Sequence, residues 1–493
     1  MASLEELRSV RLEKLNILKE FGMNPYPANV VRDFTLLEVT NDFKKLEAEG
    51  KSISIVGRIM SIRGQGAIVF VSLFDGSAKF QAVFKKDEIE EKLFKLFADA
   101  VDIGDFIEVT GTLFVTKAEQ NSLLVKSWTM LTKALLPLPD KWHGLQDVEE
   151  SYRKRYLDIL MDEEVRNRFI TRAKIVSYIR KYLDNKNFLE VETPMLQNQA
   201  GGAMAKVFDT HHNDYDLDMV LRISIELEHK ILTVGGYPRI YEIGKNFRNE
   251  GSDPTHIQEF TMLEWYAAYE SLESNMAWTE EMLRGIAKDV IGSDTFTVYD
   301  KEGNSTEVDF SKDWPRVKFG DLIKENAGLD MATATIDEIK SKCVELGMDK
   351  GEMEKTGRGN LLDFIFKKSS RVKIINPTYV LDYPGDLKPL AQQNEDGTAK
   401  VAQLIIAGAE LTNQYAELVN PIVQRELLEA QSKAKDGGDE EAMEVDERFL
   451  TAMEHGMPPM TGFGLGIDRL VAIMTNQKNL RDVIFFPIMR PKE

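Results

Sequence analysis

Hydrophobic and polar residues alternate in two neighbouring stretches near the middle of the chain. Residues 240–247 and 257–266 both follow the two-residue period of a strand, and Gly251 and Pro254 lie in the short link between them. This pattern predicts an antiparallel pair of strands closed by a loop. Because side chains alternate across a pleat, one face of the second strand carries two rings, a methionine and an acid: Phe260, Met262, Glu264 and Tyr266.

The charged residues in this region are the first indication of a ligand-binding site. If the first strand continues past Phe247, Arg248 and Glu250 share a face as well. An unpaired buried charge is costly, so a sheet floor with an arginine and two carboxylates predicts a ligand that carries both signs of charge. The alternative is a solvated outer face on which the alternation is accidental.

Short β segments between residues 53 and 132 are separated by glycines and interrupted by one helical stretch at 87–98. They predict a small barrel of the OB type, preceded by a helix that starts at a capping-box pattern in residues 3–6. Such barrels bind single strands with aromatic rings and cations. The candidates for base contacts are Arg63, Phe70 and Gln81, and packing in the core is the alternative for Phe70.

The proline-containing stretch 133–147 is predicted to link the barrel to a larger domain of helices and strands. We therefore expect two domains. The first, residues 1–140, holds the N-terminal helix and the barrel, and the second, residues 141–493, holds a helical insertion at about 275–375. A long helix near residue 165 and a strand that ends at Pro194 could form plain scaffold or a subunit interface.

Two later stretches add polar side chains. Asn413, Tyr415 and Glu417 are spaced by two and share a strand face, and residues 462–473 form a glycine-rich strand that enters a helix with Arg469 in its first turn. Glycines permit a close backbone approach, and an arginine at a helix start suits phosphate. The sequence holds neither a GxxxxGK[ST] loop nor a GxGxxG turn with a partner acid, so neither common nucleotide-binding fold is predicted.

Composition narrows the class of protein. The chain has 493 residues, of which 43% are hydrophobic and 29% charged, and no apolar run long enough to span a bilayer. The single cysteine, Cys343, excludes an intramolecular disulfide and a cysteine-rich zinc site, and favours a reducing cytoplasm. The net charge of −19 argues against a protein that coats nucleic acid, whereas the nearly neutral residues 1–145 are compatible with local RNA contact.

Several motifs occur together along the chain. ETPML at 192–196, FRNEG at 247–251 before TMLEWY at 261–266, and GLGIDRL at 464–470 resemble the three signature motifs of class II aminoacyl-tRNA synthetases. A closer resemblance, to class II lysyl-tRNA synthetases, rests on YRKRYLDIL at 152–160, VGGYPRIYEIGKNFRNEG at 234–251, GDEEAM at 438–443 and RDVIFFPIMRP at 481–491. The resemblance extends over about residues 1–493.

This resemblance implies an α+β fold. An N-terminal OB-fold barrel would bind the anticodon of tRNA(Lys), and the catalytic domain would be an antiparallel sheet flanked by helices. The resemblance also implies a cytoplasmic homodimer with residues 165–194 in its interface. Lysine and ATP would form lysyl-adenylate and pyrophosphate, and the lysyl group would then pass to the terminal ribose of the tRNA.

For lysine, the resemblance implies acids around two ammonium groups. Glu226 would bind the α-ammonium, and Glu264, Tyr266 and Glu417 would surround the ε-ammonium. The other residues implied to bind lysine are Gly201, Asn413 and Tyr415. Lysine offers two cations, so its chemistry independently requires several acids in one pocket.

For ATP, the resemblance implies that Arg248 bridges the lysine carboxylate and the α-phosphate, where a planar bidentate donor is most useful. Glu250 and Phe260 would hold the adenine, and His256 and Arg469 would contact the outer phosphates. Lysine's own carboxylate attacks the α-phosphorus, so the catalytic residues Arg248, Glu250 and Arg469 act by alignment and charge neutralisation, without a side-chain nucleophile.

The chain departs from the family pattern at two places. The implied Mg²⁺ ligand Glu410 usually has a second glutamate seven residues earlier, and here that position is Gln403, whose amide oxygen can bind a metal but brings no charge. In the barrel, Gln120 or Asn121 replaces a usual glutamate. The anticodon contacts that the resemblance implies are stacking by Phe70 and base contacts from Arg63 and Gln81.

Three alternatives stay open. A class II synthetase for aspartate or asparagine would need a cation or amide-reading groups, whereas Glu264 and Glu417 favour a cationic side chain. A truncated paralogue that attaches a lysine-like amino acid to a protein would lack the barrel. A catalytically silent tRNA-binding paralogue would be favoured by the loss of any of four residues that are all present: Arg248, Glu250, Glu410 and Arg469.

Overall fold

A computed structural model describes residues 3–64, 66–139, 147–203, 205–300, 302–354, 356–436 and 445–492. The chain divides into two compact units, Met1–Gln146 and Asp147–Glu493. Residues 140–146 of the predicted linker and the GDEEAM stretch at 438–443 lie outside the described residues. Among the helices of the described ranges, none combines the length and the apolar character that crossing a membrane requires.

The first unit contains a closed five-stranded barrel in the order β1–β2–β3–β5–β4, which confirms the predicted OB-type fold. Its strands are β1 (Ile53–Arg63), β2 (Ile68–Phe74), β3 (Lys79–Lys85), β4 (Phe106–Val115) and β5 (Asn121–Thr132). Its helices are α1 (Leu4–Glu20), α2 (Leu36–Asn41), α3 (Phe43–Glu49) and α4 (Glu91–Ala100). Helix α1 begins where predicted because the side chains of Ser3 and Glu6 each accept a hydrogen bond from the other residue's backbone N–H.

The second unit is a mixture of helices and strands. Its helices are α5 (Val148–Arg153), α6 (Arg155–Met161), α7 (Glu163–Asn185), α8 (Glu226–Val234), α9 (Leu272–Ile286), α10 (Phe319–Ala327), α11 (Ile336–Glu345), α12 (Lys350–Met353), α13 (Arg358–Ser369), α14 (Pro421–Asp436), α15 (Glu447–Glu454) and α16 (Ile467–Met474). Its strands are β6 (Leu189–Glu190), β7 (Leu196–Gln197), β8 (Asp209–His212), β9 (Leu217–Leu221), β10 (Arg239–Phe247), β11 (Glu259–Ala268), β12 (Thr295–Tyr299), β13 (Ser305–Asp309), β14 (Arg316–Lys318), β15 (Thr378–Pro384), β16 (Thr398–Ile406), β17 (Ala409–Ala416) and β18 (Met460–Gly466).

An eight-stranded sheet organises this unit, in the order β14–β15–β16–β17–β18–β11–β10–β6. The strands from β15 to β10 pair antiparallel, and the outer pairs β14–β15 and β10–β6 are parallel. The predicted hairpin of β10 and β11 forms with Glu242 opposite Glu264. Strand β18 brings Gly464 opposite Glu264 on one side and opposite Asn413 on the other. Polar residues of distant stretches therefore meet at the centre of the sheet.

The two faces of this sheet have different roles. Leu263 and Trp265 of β11 and Phe463 of β18 belong to the main hydrophobic core, where the rings of Trp265 and Phe463 stack with centroids 3.5 Å apart. Alternation then turns Glu264 and Tyr266 to the opposite face. Apolar packing on one face fixes the register and so presents the acids on the other.

The stretch 275–375 contains α10 to α13 and part of α9, together with β12, β13 and β14. We predict a helical insertion there, and the structure adds these strands to it. Strands β12 and β13 form a separate two-stranded sheet, in which Phe296 and Val298 are buried while their neighbours are less so. Each strand has only five residues, too short for its alternation to stand out in the sequence.

Candidate active site

A cavity of about 260 Å³ lies over the centre of the sheet, and we call it the acid cavity. Its walls carry three buried carboxylates from three elements. Glu226 begins α8, Glu264 lies on β11, and Glu417 directly follows β17. The other predicted lysine-binding residues that line it are Tyr266, Asn413 and Tyr415. The sheet therefore brings six of the seven predicted residues into one cavity.

The carboxylates of the acid cavity are not fully paired. Glu264 and Glu417 are each 4% exposed, and the hydroxyl of Tyr266 donates to Oε2 of Glu264 at 3.3 Å. Oε2 of Glu417 lies 2.5 Å from Nζ of Lys230 and forms an ion pair with it. Oε1 of Glu417 has no hydrogen-bond partner in the described part of the chain. A buried carboxylate oxygen in this state favours the binding of a cation.

Burial changes the ionisation of these groups. Desolvation, reinforced by the charge of Glu226, raises the pKa of Glu264 to about 8. Desolvation also raises the pKa of Glu417 to about 8, although the Lys230 ammonium opposes that shift. Burial raises the pKa of Tyr266 well above its ordinary value. An entering ammonium group would stabilise the charged carboxylates and so be bound in return.

Glycines of β18 make room for the acids. A Cβ atom at Gly462 would lie 2.0 Å from Oε1 of Glu417 and 2.7 Å from the ring of Tyr266. At Gly464 a Cβ atom would lie 3.3 Å from the end of the Met262 side chain. The close approach predicted from the glycine-rich stretch therefore occurs, and at Gly462 the groups that approach are an acid and a phenol.

A second cavity of about 250 Å³ adjoins the first, and we call it the arginine cavity. The predicted ATP-binding residues that line it are Arg248, Glu250, His256, Phe260, Glu410 and Arg469. The two cavities share the lining residues Arg248, Met262, Asn413 and Gly464. Arg248 is thus the cationic residue common to both.

The two arginines are held by backbone carbonyls. Strand β10 ends at Phe247, so Arg248 lies beyond it, where its Nε donates to the carbonyl of Ile223 at 3.4 Å and its guanidinium lies 5.2 Å from the ring centroid of Phe260. Arg469 donates to the carbonyls of Glu410 and Thr255. Burial lowers the pKa of Arg469, which makes an anionic ligand favourable beside it.

Other predicted residues of this region are more exposed. Glu250 is exposed, and the side chain of His256 is half exposed with Nδ1 3.0 Å from Oδ1 of Asp253. Gln403 is buried, and its amide donates to Oδ1 of Asn413 at 3.3 Å. It lines neither cavity, whereas Glu410 lines the arginine cavity. No group of three or more histidine, cysteine, aspartate and glutamate side chains in the described ranges is arranged to hold a metal ion.

Gly201 does not line the acid cavity, but its neighbours Gly202 and Ala203 do. A Cβ atom at Gly201 would lie 2.5 Å from Cδ1 of Leu227, so this glycine is needed for packing against α8. Gly202 has a φ of +79°, and a Cβ atom there would lie 2.9 Å from the Ser224 hydroxyl oxygen. The cavity wall is thus formed by Gly202 and Ala203, directly after the predicted contact Gly201.

Sequence reasoning missed two lysines of this region. Lys230 is fully buried behind the acid cavity, and Lys388 lines the cavity with Nζ 5.7 Å from the ring centroid of Tyr415. The spacing of Glu226 and Lys230, four residues apart on a helix, was a signal, but the same spacing is typical of exposed ion pairs. Lys388 lies in an irregular stretch that gave no periodic signal.

The three predicted anticodon contacts lie together on the barrel. Arg63 of β1 pairs in register with Phe70 of β2, and its guanidinium donates to Oε1 of Gln81 on β3 at 3.5 Å. The amide of Gln81 in turn donates to the hydroxyl of Ser122 at 2.8 Å. Arg63 is exposed and Phe70 half-buried, so one face of the barrel presents a cation, a ring and an amide.

Comparisons with known proteins agree with this architecture. Residues 147–490 match the family model of class II tRNA synthetases (D, K and N), and residues 53–131 match that of the OB-fold nucleic acid binding domain. The lysine–tRNA ligase of Carboxydothermus hydrogenoformans is 43% identical over 99% of both chains. That of Moorella thermoacetica is 42% identical over 99% of this chain and 98% of its own, and that of Nostoc punctiforme is 42% identical over 99% and 89%. The chain therefore belongs to the lysine–tRNA ligase family of class II tRNA synthetases.

Proposed function

We propose that the chain joins lysine to tRNA(Lys) in two steps, with ATP as co-substrate. Lysine and ATP first form lysyl-adenylate and pyrophosphate, and the lysyl group then passes to the terminal ribose of the tRNA. One observation carries the proposal: a cavity with three buried carboxylates adjoins a cavity that contains the half-buried Arg469, and Arg248 lines both. A cationic amino acid and a polyphosphate have the charges that these two cavities lack.

The acid cavity accounts for both ammonium groups of lysine. Glu417 offers a buried oxygen that has no hydrogen-bond partner within the described ranges, and Glu264 with Tyr266 lies across the β18 strand from it. We assign these three residues to the ε-ammonium and Glu226, at the start of α8, to the α-ammonium. Asn413 and Tyr415, whose side chains are joined by a 2.7 Å hydrogen bond, form the wall along the aliphatic chain.

The same acids argue against the other amino acids of this class. Aspartate would place a carboxylate next to the buried Glu264 and Glu417, where its negative charge opposes the ionisation of both acids, whereas an ammonium group favours it. Asparagine would leave the unpartnered oxygen of Glu417 without a cation. For aspartate and for asparagine, the loss of binding free energy relative to lysine should be far larger than the difference by which a hydrophobic pocket distinguishes two similar substrates.

The arginine cavity suits ATP. We assign the ring of Phe260 to stacking on adenine, with Glu250 at its hydrogen-bonding edge, because Phe260 already faces the guanidinium of Arg248. His256 and Arg469 would meet the outer phosphates. Two backbone carbonyls fix the guanidinium of Arg469, and the Asp253 carboxylate holds the ring of His256.

The first step needs alignment more than reactive side chains. A carboxylate oxygen of lysine forms a bond to the α-phosphorus, while the bond from that phosphorus to the pyrophosphate oxygen breaks on the opposite side. Arg248, at the junction of the cavities, would hold the lysine carboxylate and the α-phosphate together and neutralise charge in the transition state. No proton has to be removed from the attacking carboxylate at neutral pH.

The residues of the arginine cavity fit a magnesium ion that enters with ATP. Mg²⁺ is commonly bound by one or two carboxylates, with water and substrate phosphates as the other ligands. Glu410 lines the cavity and would hold the ion, whereas the Gln403 amide is engaged with Asn413. When bound, Mg²⁺ would neutralise polyphosphate charge and so assist the departure of pyrophosphate.

The barrel would select the tRNA. Phe70 offers a ring for stacking on an anticodon base, and Arg63 and Gln81, joined by a hydrogen bond, offer donors and acceptors for base edges. We expect Gln120, in the turn before β5, to bind the anticodon less strongly than a glutamate at that position would, because its side chain carries no charge.

We also propose a homodimer in the cytoplasm. Ile170 on α7 and Leu189 on β6 lie in the segment 165–194 and are 45% and 48% exposed, which suits a surface that a second copy covers. The reducing compartment follows from the single, free cysteine. Light-scattering measurement of the molar mass in solution tests the dimer.

Exchange of labelled pyrophosphate into ATP tests the proposed activity. Each of the twenty amino acids is supplied separately with ATP and Mg²⁺, and we expect exchange with lysine alone. Charging of a tRNA(Lys) transcript with labelled lysine then tests the second step. Absence of lysine-dependent exchange in the folded protein would favour the silent tRNA-binding paralogue, and exchange with aspartate or asparagine would favour the neighbouring specificity.

A further inference from the structure

A lysine of the chain itself lies directly behind the wall of the acid cavity. The side chain of Lys230 is fully buried, with Nζ 2.6 Å from Oε1 of Glu226 and 2.5 Å from Oε2 of Glu417. Nζ also lies 3.4 Å from the carbonyl of Leu390, a residue that lines the same cavity. One ammonium group therefore joins the α8 wall, the end of β17 and the 387–390 segment.

Lys230 engages only one oxygen of each carboxylate. Its ion pairs use Oε1 of Glu226 and Oε2 of Glu417, and Oε1 of Glu417 has no hydrogen-bond partner among the residues described. The two engaged oxygens can be no more than about 5 Å apart, because both contact the same Nζ. The ammonium thus sets the spacing of the two acids and leaves Glu417 with an oxygen for a ligand.

Lys230 also balances charge. The adjacent carboxylates raise the pKa of Lys230 above its ordinary value, against the lowering effect of burial, so the ammonium stays charged. Its charge in turn opposes the desolvation that raises the pKa of Glu417. Without this cation, three buried acids would face the substrate, and closely spaced carboxylates of this kind take up protons.

We propose that Lys230 is a positioning and specificity-determining residue: a resident ammonium that holds one oxygen of Glu226 and one oxygen of Glu417 at the spacing that the two ammonium groups of the substrate require. This inference rests on the proposed function. Lys230 lies behind the cavity wall, and it acts on lysine through Glu226 and Glu417.

A second buried lysine shows what a purely structural arrangement looks like. Lys133 in the barrel unit is also fully buried, with Nζ 2.5 Å from Oδ2 of Asp102 and 2.8 Å from Oδ2 of Asp105. There the remaining oxygens are occupied as well: Oδ1 of Asp102 pairs with Lys14 and Oδ1 of Asp105 accepts from the N–H of Ala134. Lys133 is therefore a control matched in burial and in number of carboxylate partners.

The experiment compares Lys230→Met with Lys133→Met in the full chain by pyrophosphate exchange and thermal unfolding. Each variant loses two ion pairs of a buried lysine, so we expect both to lower the melting temperature. Lys230→Met should raise the KM for lysine about 30-fold and leave the KM for ATP within about threefold. Lys133→Met should leave both KM values within about twofold, because exchange requires no tRNA.

The pH dependence of lysine binding distinguishes the effect of the Lys230 charge from the effect of its side-chain volume. The ionisable groups that face Glu417 and its neighbours in the acid cavity are Glu226, Lys230, Arg248, Glu264, Tyr266, Lys388 and Tyr415. Glu264 and Glu417 have a raised pKa, so below about pH 8 protonation weakens them as partners for ammonium, and lysine binding should improve as the pH rises towards 8. In Lys230→Met the pH range over which lysine binding improves should shift upwards, because this variant lacks the cation that favours the charged carboxylates.

Two outcomes would overturn the inference. One is a lysine KM in Lys230→Met within about twofold of wild type, and the other is an equal rise in both KM values without a shift of the pH profile. Should Lys230→Met fail to fold, Lys230→Arg and Lys230→Gln replace it, and only the charged variant should keep a lysine KM near that of wild type. Failure of the proposed function looks different, since wild type itself would then show no lysine-dependent exchange.

Discussion

The acid cavity and the arginine cavity have nearly the same volume, about 260 and 250 Å³, but they differ in how far they remove charged groups from water. In the acid cavity, Glu264, Tyr266 and Glu417 are at most 4% exposed. In the arginine cavity, Arg469 is held within the wall, but Glu250 is exposed and the side chain of His256 is half exposed. The similar volumes of the two cavities therefore do not indicate which ligand each cavity selects.

This difference matches the two proposed tasks, the binding of lysine and the binding of ATP. Charge interactions strengthen as water is excluded, so buried acids can distinguish an ammonium from an amide or a carboxylate. A polyphosphate carries its charge on many oxygens and enters with a hydrated metal ion, so a more open site is sufficient. We expect substitutions in the acid cavity to change specificity, and substitutions in the arginine cavity to change ATP affinity.

The largest expected effect comes from the residue that the cavities share. Arg248→Ala removes the guanidinium at their junction, and we expect kcat/KM for exchange to fall by about 1000-fold or more, since transition-state charge stabilisation and alignment are both lost. Steady-state pyrophosphate exchange measures this. Arg248→Lys is the control, because it keeps the charge without the planar pair of donors and should lose less. A loss confined to the KM of one substrate would mean that Arg248 serves one cavity only.

A smaller and one-sided effect is expected from Glu417→Gln. The variant keeps the shape of the side chain but removes the charge opposite the ε-ammonium, so the KM for lysine should rise roughly 100-fold while that for ATP stays within about threefold. Glu228→Gln is the matched control, because Glu228 is also a glutamate in an ion pair, here with Arg448, but does not line the cavity. Equal increases in both KM values for Glu417→Gln would contradict its place in the acid cavity.

The face of β11 that lines both cavities could be predicted from the sequence. Strand alternation is a local property, and the apolar partners Leu263 and Trp265 leave Glu264 and Tyr266 only the opposite face. The barrel was predictable for the same reason, since its short strands and glycine turns are local signals. The roles of the acids came from the resemblance and stay predictions.

Other features could not be predicted, because they depend on contacts between distant segments. Glu226 and Lys230 have the spacing of an exposed helical ion pair, but Lys230 is buried and contacts Glu417, just after β17, and Leu390, 160 residues further along the chain. Gly202, and not Gly201, lines the cavity because Gly201 packs against Leu227. The spacing of residues along the sequence therefore reveals neither that Lys230 is buried nor that Gly202 lines the cavity.

The smallest expected effect is in the arginine cavity. Phe260→Leu removes an aromatic face while keeping an apolar side chain, and we expect the KM for ATP to rise about fivefold, since stacking on a base contributes about 1–3 kcal/mol per ring and leucine retains part of the contact. The KM for lysine should stay within about twofold, because Phe260 does not line the acid cavity.

Phe260→Tyr keeps the ring and is the control for Phe260→Leu, so its KM for ATP should remain close to that of wild type. The guanidinium of Arg248 lies 5.2 Å from the Phe260 ring centroid, which gives the experiment a second use. If Phe260→Leu also lowers kcat, the ring positions Arg248 as well as adenine, and the two cavities are coupled through that contact. If the KM for lysine rises as much as that for ATP, the separation of the two cavities is wrong.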